Sequence, residues 1–134
     1  MIKKEEQIVY VIPGNPVPLA RARHTYRKVY DSQKNEKLIS GINLRNQHQE
    51  RPLLEGPLQL DVVFYMPIAK TRAKFAKSLI GTAHFYTPDL SNMIKFIEDV
   101  SSGILYKDDC QIVSIIAKKI YGDPRTEFTI KKLS

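Results

Sequence analysis

The sequence predicts an α+β fold, a small mixed β-sheet with two main helices packed on it. Three observations predict it. Leu58, Leu60, Val62, Phe64 and Met66 alternate strictly with their neighbours, the period of a half-buried strand. Leu90, Met93, Ile94, Ile97 and Val100 fall on one stripe at helical spacing, with Gly103 just beyond as a stop signal. The remaining apolar runs are short and separated by turn residues, which favours a sheet with helices on one face. At 134 residues the chain suits one domain over residues 1–134.

In chain order, residues 7–12 read as a strand stopped by Pro13-Gly14. Pro16 and Pro18 keep the next stretch extended. A basic segment follows, with Arg21, Arg23, Arg27 and Lys28 around Tyr26. Ser32 is placed to cap a helix running to about Gln49, with Leu38, Ile39 and Ile42 at helical spacing and Gly41 weakening it. After the alternating strand, residues 67–88 form a long connection with a short helix around 70–79. Thr87-Pro88-Asp89 opens the second main helix. Residues 111–120 and 126–131 read as strands, and Gly122-Asp123-Pro124 between them suggests a hairpin.

The charge of +7 is unevenly spread. Residues 1–50 carry nine Lys/Arg and five Asp/Glu, residues 51–88 five and two, and residues 89–134 seven and seven. Five of those acids lie between Asp89 and Asp109: Asp89, Glu98, Asp99, Asp108 and Asp109. A basic chain gains affinity for a polyanion by releasing counterions. An acidic cluster opposes that gain unless it holds cations. The lone Cys110 excludes an intramolecular disulfide, and no Cys/His set has zinc spacing. No apolar run reaches bilayer length and the charged N-terminus does not read as a signal peptide, so a cytoplasmic setting is expected. His24, His48 and His84 form no spaced cluster and read as surface or phosphate-contacting residues.

On the second helix, Asn92, Lys95 and Asp99 fall within an arc of roughly 60° opposite the apolar stripe. Asp89 stands at its start, and Asp109 ends the loop leading to the next strand. Two carboxylates from different elements, with Lys and Asn beside them, are a sensible minimum for Mg²⁺-assisted phosphodiester hydrolysis, because Mg²⁺ binds through one or two carboxylates plus water and phosphate oxygens. Each residue also has an ordinary reading. Asp89 suits an N-cap, Lys95 and Asp99 an i,i+4 surface pair, and Asp108-Asp109 a turn.

The run Pro88-Asp89-Leu90-Ser91-Asn92-Met93-Ile94-Lys95, with Asp99 and then Asp108-Asp109-Cys110-Gln111-Ile112-Val113, resembles the RusA family of Holliday junction resolvases. The N-terminal strand leading into Pro13-Gly14-Asn15-Pro16 is similar to the family's start. The resemblance is weakest over residues 31–57 and 67–84. It implies a dimeric α+β endodeoxyribonuclease that cuts four-way DNA junctions by paired nicks, using Mg²⁺ held by three aspartates, with Mn²⁺ as a substitute. By resemblance Asp89 and Asp109 match the first and third aspartates, Lys95 the active-site lysine and Asp99 the following helix acid. Ser91 stands where the pattern has its second aspartate.

The reading is therefore a Mg²⁺-dependent nuclease in which Asp89 and Asp109 hold metal, Lys95 stabilises the phosphate, and Arg21, Arg23, Arg27 and Lys28 grip DNA. A homodimer is expected, because two symmetric nicks need two sites. The strand at 58–66 or a face of the second helix is the expected source of its apolar interface. A second reading keeps the fold and DNA binding but loses cleavage through Ser91. A third is an RNA binder or ribonuclease, because positive charge alone does not choose the polymer.

Overall fold

The computed structural model describes residues 7–20, 23–24, 29–30 and 33–133, with only the backbone described at 23–24 and 29–30. Four strands form one mixed sheet. They are β1 (Tyr10–Pro13), β4 (Leu58–Met66), β5 (Ile112–Tyr121) and β6 (Arg125–Lys132), in the order β1-β6-β4-β5. Strands β2 (Arg23–His24) and β3 (Val29–Tyr30) pair with each other as a small separate ribbon. The helices are α1 (Lys34–His48), the single turn α2 (Ala76–Leu79) and α3 (Leu90–Ser101). A 3₁₀ turn over Lys70–Phe75 runs into α2. The mixed sheet with two main helices is the α+β arrangement that the hydrophobic patterning predicts.

β4 is the centre of the sheet. Its alternation buries Leu58, Leu60, Val62, Phe64 and Met66 on one face, against Leu44 of α1 and Met93, Phe96, Ile97 and Val100 of α3. Its neighbours differ in direction. β5 runs parallel to it, joined by the crossover through α3, and β6 runs antiparallel. The expected β5–β6 hairpin is therefore absent. The short turn after β5 carries the chain across the end of β4, and β6 pairs on β4's far side. Gly122 makes that crossing possible. Its N–H donates to the Met66 carbonyl at 3.1 Å, and a Cβ there would stand 2.9 Å from Cδ1 of Tyr65. Arg125 then lies over the same tyrosine ring, 3.7 Å from its centroid.

The first helix packs differently from its apolar pattern. Leu38, Ile39 and Ile42 are exposed, and α1 instead buries Ser40, Gly41, Leu44 and His48. Small residues allow this. A Cβ on Gly41 would sit 3.3 Å from Cδ1 of Ile104, so the helix approaches the loop after α3 through its glycine. Ser32 lies outside the described residues, and Gln33 occupies the N-cap without a side-chain cap bond. His48, expected on the surface, is buried. Its Nδ1 accepts from the Tyr10 hydroxyl at 2.7 Å and its Nε2–H donates to the Pro52 carbonyl at 3.1 Å. His84 is buried too, at the foot of the 67–88 connection.

Candidate nuclease site

α3 starts where its sequence signals place it. Asp89 is the N-cap residue with extended backbone, but its carboxylate makes no cap hydrogen bond. The ordinary reading of that aspartate, a side chain spent on capping, does not hold. The carboxylate is left exposed at a helix N-terminus, where the positive end of the helix dipole favours negative charge. Ser91 and Lys95 are exposed on the following turns. At its other end α3 stops at Ser102, and Gly103 takes the left-handed conformation (φ 84°) that turns the chain back.

The returning loop folds onto the last turn of α3. Tyr106 is buried, and its hydroxyl donates to the Glu98 carbonyl at 3.0 Å. Asp108 then caps a short 3₁₀ turn (Asp109–Gln111), accepting from the Cys110 N–H at 3.1 Å. Gln111 closes this turn. Its Oε1 accepts from the Lys107 and Asp108 N–H groups, and its Nε2 donates to the carbonyls of Leu54 and Gly56. The two adjacent aspartates thus divide their work. Asp108 is structural, while the exposed Asp109 faces the end of α3. The Cys110 N–H holds Asp108 below the usual carboxylate range. Asp109 is pushed up, first by its hydrogen bond with Asp108, then by lost solvation and by the charges of Asp108 and Asp99.

Asp99 does not pair with Lys95. It meets Lys37 of α1 at 3.1 Å and tethers the two helices. Glu98, unremarked in the sequence beyond its place in the acidic run, is half-buried beside these acids. Burial raises its pKa above the usual value, the charge of Asp109 adds to the rise, and Lys95 opposes it. Its helical angle puts it next to Lys95, a signal available from the spacing alone.

Within a single chain Asp89 and Asp109 stand apart. α3 is about 18 Å long, and Asp89 and Asp109 stand at opposite ends of it. A second ruler agrees. The Lys119 ammonium donates to the carbonyl of Pro88, beside Asp89, at 2.7 Å, whereas Asp109 precedes Ile112 at the start of the same strand. From Ile112 to Lys119 an extended chain covers about 23 Å. The loop folds back as far as Glu98 and no further. Among the described residues, no group of three or more His, Cys, Asp or Glu side chains could hold a metal ion. The donors themselves are hard oxygens, which suits Mg²⁺, an ion that takes one or two protein carboxylates and completes its shell with water and phosphate.

The described chain that leads into the basic segment is anchored near Asp89. Leu19 N–H donates to the Asn92 carbonyl at 2.9 Å. Gln33 joins the loop's two ends, accepting from the Ala20 N–H and donating to the Pro18 carbonyl, both at 2.7 Å. Arg21, Arg27 and Lys28 lie outside the described residues, and Arg23 is described by backbone alone, in β2.

A mixed sheet with an acidic helix face and a basic loop rooted at its start fits a nucleic-acid-cleaving enzyme. Residues 13–131 match the family model described as Endodeoxyribonuclease RusA, so the chain belongs to the RusA endodeoxyribonuclease family. It is also similar to the "Uncharacterized protein YqaN" of Bacillus subtilis (strain 168), with 31% identity over 95% of this chain and 97% of that one. Endodeoxyribonuclease activity of the Holliday junction type follows from the family. No helix among the described residues is long and apolar enough to cross a membrane.

The mutual burden of the acids at the end of α3 gives a prediction. An acid whose folded pKa is raised carries no penalty when both states are protonated, and loses stability as pH rises through its unfolded value towards its folded one. Glu98→Gln removes that loss. Its melting temperature should exceed that of the unaltered protein at about pH 7.5 and equal it near pH 3.5, with a gain under about 1 kcal/mol because the carboxyl is only partly shielded. Equal melting curves across this range would show that Glu98 is well solvated.

Proposed function

We propose that the chain is a Mg²⁺-dependent endodeoxyribonuclease that works as a homodimer and resolves four-way DNA junctions by paired symmetric nicks, with Mn²⁺ as a substitute metal. The observation that carries this reading is the idle carboxylate of Asp89. A helix-capping aspartate with no capping bond, set in a basic chain beside the root of a basic loop, is best explained by a cation and a phosphate. Asp89 and Asp109 would hold the metal. When bound, the ion supplies charge stabilisation at the phosphate and a more acidic water. Lys95, exposed on the same helix, offsets phosphate charge. Asp99 braces α3 against α1 and acts on Asp109 through its charge. Arg21, Arg23, Arg27 and Lys28 would grip the DNA backbone.

The homodimer takes its apolar area from surfaces other than those the sequence suggests. β4 is covered on both edges by β5 and β6, and the apolar face of α3 is buried. Exposed apolar area lies instead on α1, at Leu38, Ile39 and Ile42, and on the edge strand β5, at Val113, Ile115 and Ile116. A two-fold dimer is isologous, so the same patch serves both copies. It also supplies a remedy for the separation of Asp89 from Asp109, because the N-terminal end of one α3 can meet the C-terminal end of the other.

The test is nicking of a mobile four-way junction with Mg²⁺ and with chelator. Symmetric nicks that need the metal are expected. Tight junction binding without nicks in Mg²⁺ or Mn²⁺ would replace this reading with a DNA-structure-binding one, and effective competition by duplex RNA would replace both. Ser91 bears on the first of these. The residue is exposed and neutral two positions after Asp89. Ser91→Asp should raise the cleavage rate or lower the Mg²⁺ needed, roughly tenfold for about 1.4 kcal/mol of added metal binding. A large loss of activity would show that the serine is part of a differently built site.

A further inference from the structure

We propose that Phe85 and Tyr86 form a stacking platform for an unstacked nucleobase, next to Asp89. The inference rests on the DNA-cleaving reading and adds to it how a branch point is told from plain duplex. The two side chains are 76% and 52% exposed, and their rings stack with centroids 4.7 Å apart and planes 24° apart. Single exposed apolar residues are ordinary. This pair differs because its backbone is fixed and its surroundings are cationic.

The fixing comes from β5. His84 is buried edge-on against Tyr121, with centroids 4.9 Å apart, and its backbone N–H donates to the Lys119 carbonyl at 3.1 Å. The Lys119 ammonium donates in turn to the carbonyls of Tyr86 and Pro88. Residues on both sides of the pair are thus tied to one strand, and the rings stand out from a firm base. The Arg72 guanidinium lies 5.8 Å from the centroids of both Tyr86 and Tyr121 and donates to the Tyr121 hydroxyl at 3.1 Å. Residues 67–88 include Lys70, Arg72, Lys74 and Lys77 and no Asp or Glu. A third exposed ring, Phe75, carries Lys74 over it at 5.1 Å.

Aromatic rings interleaved with Lys and Arg are the chemistry that binds single-stranded nucleic acid, through base stacking and backbone attraction together. A base inside a duplex offers only its edges, because neighbouring bases cover its faces. The platform therefore engages DNA only where a base face is free, at a branch point or in a single strand. Asp89 follows three residues after Tyr86, so a base held there sets its own phosphates at the start of α3.

The chain has no tryptophan, so Phe85→Trp places a single indole at this position. Its emission should be quenched by a short single-stranded oligonucleotide and by a four-way junction, and far less by linear duplex of equal length. Phe85→Ala with Tyr86→Ala should weaken junction binding by about 5- to 150-fold for one stacked base and leave duplex affinity and its salt dependence unchanged. Tyr86→Phe should bind as the unaltered protein does. Equal quenching by all three DNAs, none at all, or an equal loss of duplex and junction affinity would overturn the platform. So would emission that shifts with protein concentration in the absence of DNA, which would mean that a second copy covers the rings. Unaltered protein that fails to cut junctions would overturn the enzymatic reading, while quenching by single-stranded DNA would still decide the platform.

Discussion

Asp89→Asn and Asp109→Asn are each expected to lower junction cleavage by roughly a thousandfold, the scale of losing a group that stabilises the reacting charge. Junction binding should hold or tighten, because each change removes a negative charge facing phosphate. Neither substitution should cost much stability. Both carboxylates are exposed, Asp89 makes no cap bond, and the turn at 109–111 is held by Asp108 and Gln111. The separation of the two residues along α3 extends the prediction. In sites shared across a two-fold axis, an equal mixture of the two variants forms mixed dimers with one site lacking both carboxylates and one keeping both. Mixing should then restore single nicks. Sites contained in each chain would leave every mixed dimer inactive. Full activity in either variant alone would remove that aspartate from the metal assignment.

The second large effect concerns stability. Phe96 is 2% exposed on α3 and faces the sheet beside Met93, Ile97 and Val100. Phe96→Ala removes a fully buried ring and leaves a cavity, a change that costs about 3–5 kcal/mol. That is a large share of the roughly 5–15 kcal/mol available to a domain of ordinary stability. The melting temperature should fall by roughly 10–20 °C. Cleavage should fall with it, because α3 carries Asp89, Lys95 and Asp99 and props the loop that carries Asp109. A drop of less than about 1 kcal/mol in denaturant titration would mean that α3 is held mainly by its tether to α1 and its loops.

Much of the frame was legible because it rests on strong periodicity. β4 alternates over nine residues and α3 keeps one apolar stripe, and both lie where those patterns put them. The strand pairing was not legible. A three-residue turn with Gly and Pro suggests neighbouring strands, and nothing in the turn itself shows that it crosses β4. A hint lay in β5, where Ile112, Val113, Ile115 and Ile116 place apolar side chains on both faces, as strands in parallel pairing do. α1 misled for the opposite reason. Its apolar residues face outward and its small ones face in, because Gly41 permits an approach that Leu38 or Ile42 would block. At the site, the resemblance marked Asp89, Lys95 and Asp109. It did not mark the bond of Lys119 to the residues before Asp89, since one lysine in a strand carries no pattern. Nor did it show that Asp108 is spent on its own turn.

The sheet order has a consequence for the timing of synthesis. β6 lies between β1 and β4, and it leaves the ribosome after every other element. Until then β1 has no partner in the sheet, and one edge of β4 lies open. The nascent chain can gather α3 and the parallel β4–β5 pair, but the floor beneath α1 is missing. Contacts so distant in sequence form late and slowly. The sheet is therefore expected to close, and junction cutting to begin, only once β6 has been translated and has paired between β1 and β4.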